Sequence, residues 1–419
     1  MKKKKAIISV VTSDYFWEAT VLGKSVKEFE TESDFIVFVI DYDINDPDYQ
    51  SCGFQVLDAK ILNPEEWDRF LFQYDGFSAC CALKPQALLY ALTHYEKVIY
   101  LDNDMKLFAP LETAWGSLDR ASLSLTPQNN KPIDNDGLTP SYISIRVTGV
   151  FNAGYLGASS EAHDFLEWWW KQTHYNCIFE PMIGIFVDQL YLNEAVTMVE
   201  DLFILRDKAY NVACWNLHER CVERHGDCYI VNGRPLVLFH FSNPNNFDEL
   251  KTIRVTEKHG NAFLELYSKY EKELAIAKKE FSPKQYHYSS FQDGTSVSPE
   301  WRELMRRDIP ELKEIHNPFH LRVKERLVIE KTMLQRPDNF HPNKYREIND
   351  WENSILAGSP SVKKIISDLQ TPHALQEKMR GLEWKLARFE NSFPHQLLSK
   401  AIDSVKALLR KTCYKFLVD

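Results

Sequence analysis

Over about the first 250 residues, short apolar runs alternate with longer stretches of helical spacing. Ala6 to Thr12 is almost wholly apolar and stops at Ser13-Asp14-Tyr15. Phe35 to Ile40 is a second run, halted at Asp41-Tyr42-Asp43; Lys97 to Leu101 is a third, and Leu236 to Phe239 a further one. Trp17 to Phe29 puts Ala19, Leu22, Val26 and Phe29 on one helical face, and Leu83 to His94 is a second helical stretch. Continuous apolar strands are buried on both faces, and strand–helix–strand order builds an α/β sheet covered by helices. In such sheets ligands bind beyond the carboxyl ends of the strands, so polar residues directly after strands are the chemical candidates.

From about Leu250 the texture changes. Thr256 to Lys279 is charged and helical, Phe281 to Pro299 is a loop rich in Ser, Tyr and Gly, and the remainder is Glu/Lys/Arg-rich helix broken by prolines. The last segment, residues 396–419, spaces Leu397, Leu398, Ala401, Ile402, Val405, Leu408 and Leu409 helically among Lys400, Lys406, Arg410, Lys411 and Lys415. A basic amphipathic helix of this kind lies on an anionic membrane surface or packs against protein; the sequence leaves both open.

Composition narrows the classes. A chain of 419 residues with 44% hydrophobic and 26% charged residues is globular and long enough for more than one domain. The net charge of −9 argues against nucleic acid as a partner, and no apolar run reaches the ~18 residues of a membrane span. Lys2 to Lys5 before the apolar run imitates a secretory signal, but seven apolar residues followed by Ser13 and Asp14 read better as a buried first strand. Eight cysteines are too few for a disulfide scaffold and fit a reducing compartment, so a cytoplasmic location is expected.

The strongest chemical signal is Leu101-Asp102-Asn103-Asp104, two carboxylates delivered at the end of an apolar strand. On an extended chain, residues two apart point the same way, so both acids can face one hard divalent cation such as Mn²⁺ or Mg²⁺. Such a cation neutralises the charge that develops on a departing diphosphate. His240 follows another apolar strand and, as neutral imidazole, is a competent third ligand.

With these residues in view, the sequence resembles the GT-A glycosyltransferases, most closely the family 8 type of bacterial cell-surface polysaccharide enzymes. The resemblance runs in order over residues 6–245: Thr12-Ser13-Asp14-Tyr15, Leu83-Lys84-Pro85-Gln86, the Asp102-Asn103-Asp104 motif, Phe108-Ala109-Pro110-Leu111, Phe151-Asn152-Ala153-Gly154, Val187-Asp188-Gln189 with Leu192-Asn193, and Phe239-His240-Phe241-Ser242. It implies a GT-A (Rossmann-like) nucleotide-sugar-binding domain with a mostly helical C-terminal region. It also implies a metal held by Asp102, Asp104 and His240, and a donor, a UDP-sugar by resemblance, bound by Thr12, Asp14, Tyr15, Lys84, Asn103, Ala153, Gly154, Gln189 and Ser242. Asp188 and Asn152 take the catalytic places, and transfer goes to a glycan or lipid-linked glycan acceptor with retention. Asp188 also suits a helix N-cap, since Gln189 to Val196 continues helically, and the two roles are compatible. A looser resemblance makes Asn216, His218 and Arg220 acceptor candidates. The family's Lys-Pro pair after the late histidine is missing, which leaves Lys84 or Arg146 to meet the diphosphate. The expected division is a catalytic domain over 1–250, an extension over 251–330 completing the acceptor side, and a helical region over 331–419.

Competing readings are weaker. Cys214, His218, Cys221, His225 and Cys228 would form a stripe on a helix, but one straight helix cannot wrap an ion tetrahedrally, which argues against zinc. Trp168-Trp169-Trp170 reads as helix packing rather than a sugar platform. A sugar nucleotidyltransferase would use the same acids but needs a Gly-rich basic loop after the first strand, which Thr12 to Tyr15 lacks. A non-catalytic carbohydrate-binding or assembly protein would leave the acids solvated.

Overall fold

The computed structural model describes residues 3–62, 66–134, 142–180, 184–242, 260–281, 284–306, 312 and 314–334. By internal contact the chain separates into two units, and the larger, residues 1–132 and 143–343, contains everything described below. The expected basic helix at 396–419 lies outside the described residues.

A seven-stranded mixed sheet forms the centre. Its strands in chain order are β1 (Lys3–Val11), β2 (Asp34–Val39), β3 (Gln55–Asp58), β4 (Tyr95–Leu101), then, after the short β5 (Met105–Leu107), β6 (Leu123–Pro127), β7 (Phe151–Ser159) and the strand Phe203–Ile204. Across the sheet the order is Phe203–Ile204, β6, β7, β4, β1, β2, β3. β1 pairs in parallel with both β2 and β4, whereas β7 runs antiparallel to β4 and β6. β5 lies outside this sheet and pairs antiparallel with Leu238–His240. The α/β class expected from the alternating runs is therefore present.

Period-2 alternation decides the two cores. Ala6, Ile8, Val10, Val98 and Tyr100 face one side, packed with the helices Gly76–His94 and His163–Asn176. Ile7, Val11, Val37, Ile99 and Leu101 face the other, against Ala19, Leu22 and Val26 of helix α1 (Phe16–Phe29). Trp169 is fully buried on its helix, which bears out the packing reading of the tryptophan run. Helix Gly76–His94 starts seven residues before Leu83, so Lys84-Pro85 sits in mid-helix rather than opening it. The Asp75 side chain, which accepts a hydrogen bond from the Ser78 amide at 2.7 Å, sets the true start.

The chain passes from β1 to β2 and β3 on one flank and then returns with β4 on the other flank of β1. Connections leaving β1 and β4 thus diverge, opening a crevice at their carboxyl ends. Residues beyond 250 share these cores, with Tyr286, Phe291 and Trp301 buried in the first. Arg302 fastens that segment by donating to the Phe72 and Tyr288 carbonyls at 3.3 and 2.9 Å. Among the described residues, no helix is long and apolar enough to cross a membrane.

Candidate functional site

Asp102 leaves β4 with its amide bonded to the Gly154 carbonyl at 2.9 Å, and the Met105 amide bonds back to the Asp102 carbonyl at 3.1 Å. The acids therefore sit on a turn between β4 and β5, not on an extended strand, and the expected two-residue alternation is not what brings them together. The turn does, and the β5 pairing adds His240 opposite Met105. One ligand atom each from Asp102, Asp104 and His240 lies within 4.8 Å of the others, the one such group among the described residues. The rival Cys/His stripe does not exist: Val222–His225 and Cys228–Val231 form a hairpin turned at Gly226, whose φ is +63°. A hairpin alternates its side chains across two faces, so helical spacing has no meaning there.

His240 Nε2 stands 3.1 Å from Asp104 Oδ1. Burial alone would lower the His240 pKa, but the Asp104 carboxylate outweighs it and the net direction is upward. With neutral imidazole and no proton on Nε2, a lone pair would face a carboxylate oxygen that has no hydrogen-bond donor. Such a pair calls for positive charge, either a proton or a bound cation. Two carboxylates and an imidazole suit Mn²⁺ or Mg²⁺.

Lys84 departs from the expected phosphate contact. Its ammonium is buried and lies 3.0 Å from Asp102 Oδ1, 3.1 Å from Asp188 Oδ2 and 3.1 Å from the Ala153 carbonyl. Three N–H donors meet three protein acceptors, so no donor remains for a diphosphate. Burial opposes the Lys84 charge, yet Asp102 and Asp188 together hold its pKa well above the usual lysine range. The Tyr100 hydroxyl donates to the same Asp102 oxygen at 2.9 Å, which leaves Oδ2 available for a cation. Asp188 is itself buried; burial raises its pKa, while Lys84 pulls it down. The indole N–H of Trp169 donates to the Asp188 carbonyl at 3.0 Å, and Val187 before it has a φ of +42°. A β-branched residue in that region is strained, and such strain gathers at functional sites. The helix expected from Gln189 is a 3₁₀ turn over Leu190–Glu194 followed by Ala195–Met198, and Asp188 makes no N-cap bond to it.

Asn152, Ala153 and Gly154 lie on β7, next to β4. A Cβ on Gly154 would come within 2.5 Å of His240 Cε1 and 2.7 Å of Nδ1, so glycine here makes room for the imidazole. Gly154→Ala is expected to cost about 1–3 kcal/mol of stability through overpacking, measured by urea unfolding.

Thr12, Asp14 and Tyr15 stand at the carboxyl end of β1. Asp41 holds this loop by accepting from the Ser13 amide and hydroxyl, both at 2.7 Å, and accepts from the His287 amide at 3.0 Å. Burial, with Asp41 adding repulsion and Thr12 a stabilising hydrogen bond, raises the Asp14 pKa. Tyr15 is exposed and stacks on Trp17. Asn103 points away from the acids and donates to Glu18 Oε2 at 2.5 Å. Ser242 is half-buried at the end of a described segment.

Sequence reading missed Glu18, which helical periodicity places on the buried face of α1. Burial, then repulsion from Asp104, pushes its carboxyl up to about 8. The folded chain therefore binds a proton that the unfolded chain releases near the ordinary 4.5. That contribution to stability is complete below pH 4.5 and is lost as pH rises through about 8, at up to ~1.4 kcal/mol per pH unit. Glu18→Gln keeps the acceptor for Asn103, so in EDTA it should match wild type at pH 4 and unfold at higher urea concentration at pH 8.

Of the acceptor candidates, Asn216 and Arg220 are buried and His218 is half-buried. Asn216 is fully buried, accepting from the Ala213 amide at 3.0 Å and donating to the Gln128 and Asn211 carbonyls at 3.2 and 3.0 Å. Arg220 is buried against the Tyr210 carbonyl and Glu219, and His218 Nε2 lies 3.0 Å from the Lys131 carbonyl. Asn216, saturated by backbone in this way, has little left for a sugar, whereas His218 Nδ1 and Arg220 Nε have no hydrogen-bond partner among the described residues.

No protein-family profile matches the chain. Two curated relatives, both from Bacillus subtilis (strain 168), carry names without a function: YfnF, 23% identical over 279 residues, covering 62% of this chain and 90% of its own, and YfnD, 26% identical over 174 residues, covering 39% and 52%. The chain thus spans about half the length of YfnD. Solved structures similar to it include the galactosyltransferase LgtC in complex with donor and acceptor sugar analogues, at 14% identity and a TM-score of 0.37 over 68% of this chain and 98% of that one. They also include the glycosyltransferase GlyE of Streptococcus pneumoniae TIGR4, at 14% and 0.39 over 70% and 67%, and mouse xyloside xylosyltransferase 1, at 12% and 0.34 over 58% and 98%.

Proposed function

We propose that the chain is a metal-dependent GT-A glycosyltransferase of the family 8 type. In this reading it moves a sugar from a nucleoside-diphosphate donor, a UDP-sugar, to a glycan or lipid-linked glycan acceptor in surface polysaccharide or lipopolysaccharide synthesis. The observation that carries it is the group Asp102, Asp104 and His240 at the β1/β4 switch point, with an imidazole nitrogen and a carboxylate oxygen 3.1 Å apart. Those three residues would hold Mn²⁺ or Mg²⁺, which when bound neutralises charge on the leaving diphosphate.

The remaining steps belong to the protein. Asp41 fixes the loop after β1, so that Thr12, Asp14 and the exposed Tyr15 ring receive the nucleoside. Lys84 keeps Asp102 and Asp188 in one arrangement without spending a proton. Asp188 stabilises positive charge at the anomeric carbon, and Asn152 orients the donor sugar. Retention at that carbon has the leaving phosphate accept the acceptor's proton. In this reading the chain works in the cytoplasm, and residues 396–419 meet either the inner membrane face or protein.

Incubation with a panel of nucleotide sugars, with Mn²⁺ or with EDTA, tests the reading. Release of nucleoside diphosphate from one donor, only with metal, is expected; release of pyrophosphate from a nucleoside triphosphate and a sugar phosphate would indicate nucleotidyl transfer instead. Binding of glycan alone, with no turnover of any donor, would sink the enzymatic reading.

A further inference from the structure

His240 has a second nitrogen, and a chain of amides decides its protonation. Gln189 is the start of that chain. Its Nε2 lies 2.7 Å from the Thr148 carbonyl, which can only accept, and its Oε1 lies 3.1 Å from the Ala153 amide, which can only donate. Two backbone groups thus fix which way the Gln189 amide faces. Oε1 takes a hydrogen bond from Asn152 Nδ2 at 3.1 Å and the Gly154 amide donates to Asn152 Oδ1 at 3.1 Å, so the two together set that oxygen 3.2 Å from His240 Nδ1. Asn211 Oδ1 is a second neighbour of Nδ1 at 3.3 Å, but its Nδ2 rests on the Thr126 hydroxyl, which can donate or accept and therefore selects nothing.

We infer that Gln189 is a positioning residue which, through Asn152, holds His240 with its proton on Nδ1 and so presents the Nε2 lone pair to a divalent cation. This rests on the metal-dependent reading above. Partners on the far nitrogen of a metal-binding histidine commonly change affinity by about 10–100-fold. The same contacts occupy the Gln189 oxygen with Asn152 and Ala153.

Mn²⁺ titration followed by electron paramagnetic resonance reads the affinity. Zn²⁺, a diamagnetic probe, with ¹⁵N-histidine-labelled protein reads the protonated nitrogen. In Gln189→Met, Asn152 loses the acceptor of its Nδ2 and keeps only the Gly154 amide to orient it, and Mn²⁺ affinity should fall at least about tenfold, with loss of the Nδ1–H signature. Adding Asn152→Asp to that variant should restore both, because a carboxylate has oxygen at both positions and cannot offer a donor to Nδ1. A merely structural role for Gln189 would not be rescued by that change. Should Gln189→Met fail to fold, Asn152→Asp alone remains informative: retained or tighter Mn²⁺ binding supports the inference, and a tenfold loss overturns it. Wild-type protein that binds no Mn²⁺ overturns the functional reading and this inference together. Wild-type binding with unchanged affinity in Gln189→Met overturns the inference alone.

Discussion

Asp104→Ala should abolish metal-dependent release of nucleoside diphosphate, by roughly 10³-fold or more, while leaving the stability of the metal-free protein close to wild type. Removing a single preorganised electrostatic stabiliser commonly costs 10²–10³ in turnover, and losing a cation's ligand adds to that. Stability should change little, because Asp104 repels the Glu18 carboxyl but favours the charged His240 imidazole 3.1 Å away, and the two effects oppose each other. Taking it away relieves the Glu18 repulsion and removes the His240 pairing together. Donor turnover and urea unfolding, measured on the same preparation in EDTA and in Mn²⁺, check both halves. Activity within tenfold of wild type would remove Asp104 from the metal site.

Lys84→Met should have the largest effect on stability. The ammonium is 2% exposed and is shared by Asp188, 1% exposed, and by Asp102. Removing one partner of a buried pair leaves an uncompensated charge and typically costs 3–5 kcal/mol. Asp102 retains the Tyr100 hydroxyl and some solvent, so the penalty falls mainly on Asp188. Lys84→Met combined with Asp188→Asn should therefore recover much of the loss, as neutral replacements of buried pairs often do. Urea unfolding of the two variants decides it; an equal loss in both would mean that packing of the lysine stem, not charge, is what matters.

The extent of the strands and of α1 was legible because burial on both faces leaves continuous apolar runs and a helix leaves a face at fixed spacing. Asp102 and Asp104 were legible because they end such a run. Lys84 was read for the wrong partner, since a lysine in a helical stretch does not announce that its Nζ ends between two carboxylates from elsewhere. Asn216 and Arg220 were read as sugar contacts for the same reason: burial of polar side chains comes from loops folding over them, and no local spacing records it. Glu18 looked like an ordinary helix acid, and its burial in the folded chain, with Asp104 beside it, gives it a raised pKa.

The sequence by itself determined the α/β architecture, the placing of two acids after a buried strand, and a histidine after another, because each depends on residues close along the chain. The tertiary structure decided that a turn and a two-stranded pairing bring Asp102, Asp104 and His240 within 4.8 Å, that Lys84 serves Asp188 and Asp102, and that Gln189 accepts a hydrogen bond from Asn152. Those contacts join residues tens of positions apart. Their geometry is set by the crossing of the sheet at β1 and β4 and by the need of every buried polar group for a partner.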